Sequence, residues 1–527
     1  MATAPEGTPV TATTTHGALR GTWHDGVARF AGIPFAAPPV GNLRFAPPAP
    51  AAAWDGERSA DSTAPVSPQN PSIMDALFGG ESEHWDEDCL YLNVWTPSPE
   101  PTDHLPADLS SLPVMVWIHG GGFEMGSGSS PMYDGTHFAR SGVVLVTCNY
   151  RLGAFGFLDL SHLDPALAGS GNLGLLDQIA ALEWVRDNIA HFGGDPSNVT
   201  IFGQSAGAMS VSLLMSMSRA TGLFHKAIAQ SGAASAARTT EMAIEDATDF
   251  MTIGGWSTVD DLRAAPVADL LGAHAKQSAA RMGDPESFIR RTGNPLAFLP
   301  FRPVADGIVV PADPHAAIAA GSADGVALVV GTTSEEWRLF AMMSPPPGTE
   351  DDLRRRLAVL VAEPDTALEA YRSEHPDLGV GELEGAILTD LVFRIPAVRL
   401  ADAQAAHAPT FQYLWTWQSP AWGGMVGAAH AIEIPFVFNL VEDHRLHVFV
   451  GPDAPGSLAG AINDAWVAFA ANGLPKADGL PDWPTVDGAG RPVVILDTET
   501  ALAHDPNPVT RQFWATPAAA MPPRAAD

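Results

Sequence analysis

Ser205 stands in Gly203-Gln204-Ser205-Ala206-Gly207, the only Gly-x-Ser-x-Gly in the chain. A serine hydroxyl is a weak nucleophile. It becomes useful when a base takes its proton and nearby donors stabilise the oxyanion it creates. The flanks of the pentapeptide suit that chemistry. Val199-Thr200-Ile201-Phe202 reads as a strand, and the apolar run Ala206, Ala208, Met209, Val211, Leu213, Leu214 reads as a buried helix. A sharp turn between strand and helix lifts a serine clear of a sheet, over the first amides of the helix. Such a turn strains the serine backbone, and glycine at both ends tolerates the crowding. A bare motif of this kind is as readily a glycine turn with a buried serine, and it is the strand and the helix that favour chemistry.

A second set of donors precedes it. The apolar strand Val114-Met115-Val116-Trp117-Ile118 runs into His119-Gly120-Gly121-Gly122-Phe123. Three glycines leave backbone amides bare enough to approach a ligand, which fits an oxyanion loop better than a hinge. Phe123 follows directly, and its ring is expected to border the bound substrate.

The base and the acid should lie downstream, in the order serine, acid, histidine. Glu335 and Glu336 follow the strand Val326 to Gly331, and either alone would be an ordinary loop charge. His430 sits in Gly427-Ala428-Ala429-His430-Ala431, where small neighbours leave an imidazole room to swing over a serine. The chain has 17 histidines, so most must be surface or core residues. His444 and His447 form a His-x-x-His without an evident third ligand, and no metal site is expected. The aromatic residues Trp415, Trp417 and Trp422 precede His430, and are read equally as a substrate wall or as core.

These residues need a framework. Strands alternate with helices from residue 114 to 216 and the strand pattern resumes at 326 and 411, the signature of a large, mainly parallel α/β sheet covered on both faces. Residues 10–35 alternate between turn glycines and suggest a small antiparallel sheet. Leu458, Ile462, Trp466 and Phe469 fall at helical spacing, and Asn472-Gly473 ends that helix. Charged helical segments at approximately 235–300 and 338–405 read as insertions roofing the sheet of one domain spanning 1–527.

The 527 residues carry a net charge of −32, so nucleic acid and anionic membranes are poor partners. Two cysteines, Cys89 and Cys148, make neither a disulfide framework nor a zinc site. Residues 1–9 show no signal-peptide pattern, and no apolar run is long enough to span a bilayer. A cytoplasmic protein is expected.

The motifs together resemble the type-B carboxylesterases, the α/β-hydrolase family of bacterial para-nitrobenzyl-type esterases, mammalian carboxylesterases and cholinesterases. The resemblance runs from about Gly17 to Phe513. It rests on Phe30 to Ala36, Glu87 to Asn93, Gly120 to Phe123, Asn149-Tyr150-Arg151-Leu152-Gly153, the Gly203 turn and Gly427 to Phe438. It implies Ser205 as nucleophile, His430 as base and Glu336, not Glu335, as acid. It implies the amides of Gly121, Gly122 and Ala206 as oxyanion hole, and Gln204, Ser231 and Glu433 as a polar layer beneath the triad. Ion pairs Arg44–Glu87 and Arg151–Asp177 are implied as staples.

Three positions depart from the family pattern. Trp337 follows the acid where glycine is usual, Ala431 follows the histidine where glycine is usual, and Cys89 lacks the upstream partner of secreted relatives. The resulting expectation is a serine esterase for neutral, short-to-medium acyl or aryl esters that needs no metal or cofactor. An inactive adhesion or scaffold relative, or an amidase or carbamate hydrolase using the same triad, are the alternatives. The oligomeric state stays open.

Overall fold

A computed structural model describes residues 5–72, 84–99, 111–292, 296, 298–342, 345–486 and 490–519. Thirteen strands form one sheet. The N-terminal part is antiparallel through β1 (Pro9–Thr14), β2 (Gly17–His24), β3 (Val27–Pro34) and β5 (Tyr91–Thr96), which pairs antiparallel with β7, while the short β4 (Glu57–Ser59) lies parallel beside β2. The centre is parallel, in the spatial order β7 (Val144–Cys148), β6 (Leu112–Ile118), β8 (Gly194–Gln204), β9 (Lys226–Gln230), β10 (Ala327–Thr333), β11 (Thr410–Trp415) and β12 (Pro492–Leu496). Strand β13 (Ala501–His504) closes the far edge antiparallel. Neither β12 nor β13 is signalled in the sequence; β12 joins the sheet on the distant β11, and β13 folds back on β12 as a hairpin.

The central strands are apolar on both faces because both are covered. Along β6, Val114, Val116 and Ile118 join one core while Met115 and Trp117 join the other. Helices α1 (Leu173–Asn188) and α2 (Ala206–Ser216) pack on the first face. Helix α3 (Gly456–Asn472) packs Leu458, Ile462, Trp466 and Phe469 on the second. Gly473, at φ 75°, ends α3 in the left-handed conformation that favours glycine. The helices between 350 and 404 share a third cluster with Phe513 and Trp514.

Two buried ion pairs tie loops to this frame. Arg151 pairs bidentately with Asp177 at 2.8 and 2.7 Å, and Asp177 also accepts from the Arg151 amide at 3.0 Å. Arg44 pairs bidentately with Glu87 at 2.6 and 2.5 Å, and its third nitrogen donates to the carbonyls of Leu262, Arg263 and Ala265. Cys89 and Cys148 are buried free thiols. Among the described residues no helix is long and apolar enough to cross a membrane.

Removing one partner of a buried pair strands the other charge. Asp177→Asn should therefore destabilise by about 3–5 kcal/mol, read from the denaturant midpoint. A loss below about 1 kcal/mol would place the pair among exposed bridges.

Candidate active site

The turn at Ser205 is built by close backbone contact. Ser205 has φ 57° and ψ −124°, its amide donates to the Gln230 carbonyl at 2.9 Å, and its carbonyl accepts from Met209 at 2.9 Å. A Cβ on residue 207 would lie 1.9 Å from the Ile118 oxygen, and one on residue 203 would lie 2.6 Å from it. No residue but glycine fits there. The turn thus locks the end of β8 and the start of α2 against the end of β6.

The loop leaving β6 then passes over the serine. A Cβ on Gly120 would lie 3.2 Å from the Ser205 Cβ. Gly121 and Gly122 have φ of 107° and 65°. The amides of Gly121, Gly122 and Ala206 donate to no described acceptor, and Ser205, Gly121 and Gly122 are half-buried. The loop is held at one end by His119 and Tyr150, and at the other by Gln69, which no sequence motif singles out. His119 Nδ1 donates to the Gly120 carbonyl at 2.8 Å, and its ring stacks on Tyr150 with centroids 4.3 Å apart. Burial pushes His119 down to about 4, which keeps it neutral. Gln69 binds both the amide and the carbonyl of Gly126, at 2.7 and 3.1 Å.

Of the two adjacent glutamates, Glu336 is the one that reaches His430. Its Oε2 lies 2.5 Å from His430 Nδ1, and its Oε1 accepts from the Thr333 amide at 2.8 Å. Both side chains are buried. Glu336 has helical φ and ψ of −47° each and leads into the short helix Trp337–Ala341. A glycine is therefore unnecessary at 337, whose amide donates to Thr389 Oγ1 at 3.0 Å. At 431 the departure has a cost: Ala431 has φ 72°, a conformation that costs a non-glycine residue about 1–2 kcal/mol. Gln204 Nε2 lies 3.2 Å from His430 Nε2. No hydrogen bond joins Ser205 to His430 here; such contacts often tighten only with substrate bound. The rings of Phe340 and Phe393 flank the imidazole at 5.2 and 4.8 Å. They come from segments with no recognisable motif.

Of the two readings of the tryptophans before His430, wall or core, Trp415 and Trp417 take the core, and the ring of Phe123 is turned inward as well. Phe123 is fully buried and packs edge-on against Phe157 at 5.2 Å. Trp415 and Trp417 pack on Phe436 at 4.7 and 4.8 Å, in the core of the second face. A strand-end tryptophan there fills space between β11 and the segment after His430. Trp422 is 42% exposed. Beside Gly122 the glycine loop meets the side chain of Leu299, 3.4 Å from where a Gly122 Cβ would be. Three arginines absent from any motif also converge: Arg238, Arg281 and Arg302 are buried together, with Arg238 and Arg281 on Asp246 and Arg302 on the carbonyls of Leu299 and Ala236.

Comparison with known proteins agrees with this architecture. A family model described as the carboxylesterase family matches residues 8–514. The chain is 40% identical to the para-nitrobenzyl esterase of Bacillus subtilis (strain 168), over 95% of this chain and 97% of that one. It is 34% identical to the phenmedipham hydrolase of Pseudarthrobacter oxydans, over 93% of this chain and 96% of that one. Among solved structures, a carboxylesterase of Geobacillus stearothermophilus superposes with a TM-score of 0.83 at 37% identity, covering 96% of this chain and 99% of that one.

Near Glu336 lies a buried polar group, Ser231 and Glu433. Ser231 Oγ and one oxygen of Glu433 bond to no described residue, so neither reaches the triad by a hydrogen bond, while Gln204 does. The other Glu433 oxygen accepts from Gln230 at 3.3 Å, and Gln230 in turn accepts from Trp466 at 3.1 Å. Burial first, and the charge of Glu336 second, push Glu433 up from 4.5 to about 8. A raised folded-state value means that Glu433 contributes stability fully below about pH 4.5, and that this is lost as the pH rises through about 8. Glu433→Gln, always neutral, should gain on the native chain between pH 5 and 8.5, by an amount on the order of a few kcal/mol in denaturant unfolding. Parallel stability curves would show that Glu433 is ionised throughout.

Proposed function

The chain belongs to the carboxylesterase family and is a carboxylic-ester hydrolase, and from that premise we propose that Ser205 is its nucleophile, His430 its general base and Glu336 the acid that orients the base. One observation carries the assignment: Glu336 Oε2 lies 2.5 Å from His430 Nδ1. A carboxylate there keeps the proton on Nδ1 and leaves Nε2 as the acceptor. Ser205 Oγ attacks the ester carbonyl carbon while His430 Nε2 takes its proton, and Glu336 stabilises the imidazolium. The oxyanion is received by the amides of Gly121, Gly122 and Ala206, each worth roughly 3–4 kcal/mol where such a donor has been removed from other hydrolases. His430 then protonates the departing alcohol. Water, deprotonated by the same imidazole, hydrolyses the acyl-enzyme.

The substrate class follows from charge and lining. A chain at −32 repels anions, more strongly at low salt. The buried arginines are committed to Asp246 and to carbonyls. Apolar Leu299 beside Gly122 supports neutral acyl or aryl groups of short to medium length. Two buried free thiols fit a reducing, cytoplasmic setting.

Ser205→Ala should abolish turnover of a p-nitrophenyl ester while preserving the circular dichroism spectrum, and substantial residual turnover would overturn the assignment. Glu336→Gln should lower kcat by about a hundredfold or more, and Glu335→Gln by much less. The reverse order would move the acid by one residue. Neutral esters should exceed matched anionic hemi-esters in kcat/KM, with the gap narrowing as salt rises. A preference for the hemi-ester at low salt would reveal a cationic subsite.

A further inference from the structure

The acid and the base lie on separate loops, and the residues beside the acid bind the loop of the base. Glu335 Oε2 accepts from the Ala428 amide at 2.9 Å, and the Glu335 amide donates to the Ala428 carbonyl at 3.2 Å. Arg338 Nη1 reaches both oxygens of Glu335 at 2.8 and 2.9 Å. The same guanidinium donates from Nη2 to the Gly424 carbonyl at 2.7 Å and from Nε to the Met425 carbonyl at 2.9 Å. Two carboxylate oxygens and two carbonyls thus converge on one rigid fork, which a lysine could not reproduce.

The base loop is shaped to receive this pair. Gly427 has φ 59°, and a Cβ there would lie 2.5 Å from Glu335 Oε2 and 2.7 Å from Arg338 Nη1. Trp422, Gly423 and Gly424 are all left-handed, with φ of 55°, 68° and 86°. Trp422 and Met425 are 42% and 59% exposed, whereas Val426 and Ala428 are buried in the core of the second face, so packing anchors one end of the segment and leaves the other to hydrogen bonds. The hydrogen bonds from Arg338 restrain the exposed end of the segment, at Gly424 and Met425.

We propose that Glu335 and Arg338 form a clasp that positions His430. By fixing segment 424–428 against the residues that flank Glu336, the clasp sets where the imidazole stands relative to both the acid and the serine. Glu335 is then a positioning residue, distinct from its neighbour the acid. Each side chain of the pair is about a third exposed, so the ion pair adds little to global stability. Its effect lies in geometry, where a displacement of about an ångström can cost a hundredfold in rate. This inference rests on the reading of His430 as base and Glu336 as acid.

The test measures kcat, KM and thermal midpoint for Arg338→Met, Arg338→Lys, Gly427→Ala, Glu335→Gln and the double variant Glu335→Gln/Arg338→Met, with Glu336→Gln alongside. Arg338→Met and Gly427→Ala should each lower kcat about tenfold or more with KM held within about twofold. Arg338→Lys should not restore the rate, and the double variant should lose no more than the worse single one, because both remove the same clasp. The Arg338 variants leave the backbone unaltered, so they decide the matter should Gly427→Ala fail to fold. Unchanged kcat in Arg338→Met, or a loss confined to KM, would overturn the clasp provided Glu336→Gln is still crippled. If Glu336→Gln keeps its activity, it is the acid–base assignment that falls.

Discussion

The carbonyl of Ile118 occupies the space that a side chain on residue 207 would need. That one contact governs how closely β6, β8 and α2 meet, and the candidate site depends on it. Because glycine stands at 203 and 207, the strands end at the same level and Ser205 turns outward between them. The loop leaving β6 has no choice but to cross the serine, and glycine at 120 lets it cross at contact distance. The arrangement is held in strain: Ser205, Ser231 and Ala431 all adopt positive φ, at about 1–3 kcal/mol each. A large two-faced core and two buried ion pairs make that strain tolerable.

Exposure is divided across the site in a way that matters for its electrostatics. Ser205, Gly121 and Gly122 are partly open, whereas Glu336 and His430 are buried and flanked by Phe340 and Phe393. Water is kept from the carboxylate and imidazole, and their interaction is strengthened accordingly. The same burial would make a second carboxylate ruinous, and Glu433 answers by holding its proton up to about pH 8. Glu335, one residue from the acid, points outward to Arg338 and stays among solvent-accessible charges. Three glutamates in one neighbourhood thus differ through environment alone.

The departures from the family pattern have unequal consequences. Trp337 begins a helix and meets ordinary helical geometry, so no glycine is missed. Ala431 sits at φ 72°, where glycine would be relaxed. The resemblance implies both as losses of glycine; only backbone geometry separates a harmless one from a strained one.

Much of the site is legible in the residues themselves. The strand, turn and helix around Ser205 follow from hydrophobic period and from glycine placement, which are local properties. The parallel core strands, the helix stopped at Gly473 and the glycine loop follow for the same reason. The order serine, acid, histidine is also readable, though the choice between Glu335 and Glu336 comes from resemblance and not from the residues themselves. What the chain does not reveal are meetings between distant segments. Phe340 and Phe393 on His430, Gln69 on Gly126, the convergence of Arg238, Arg281 and Arg302, and the pairing of β11 with β12 join residues with no shared periodicity. The tryptophans stay ambiguous in sequence for a related reason: Trp415 and Trp417 are as suited to core as to cleft, and packing against Phe436 decides for the core. Local sequence sets which backbone can bend and which residues carry the chemistry; only the tertiary fold decides which of them touch, because contact across hundreds of residues is settled by packing and burial.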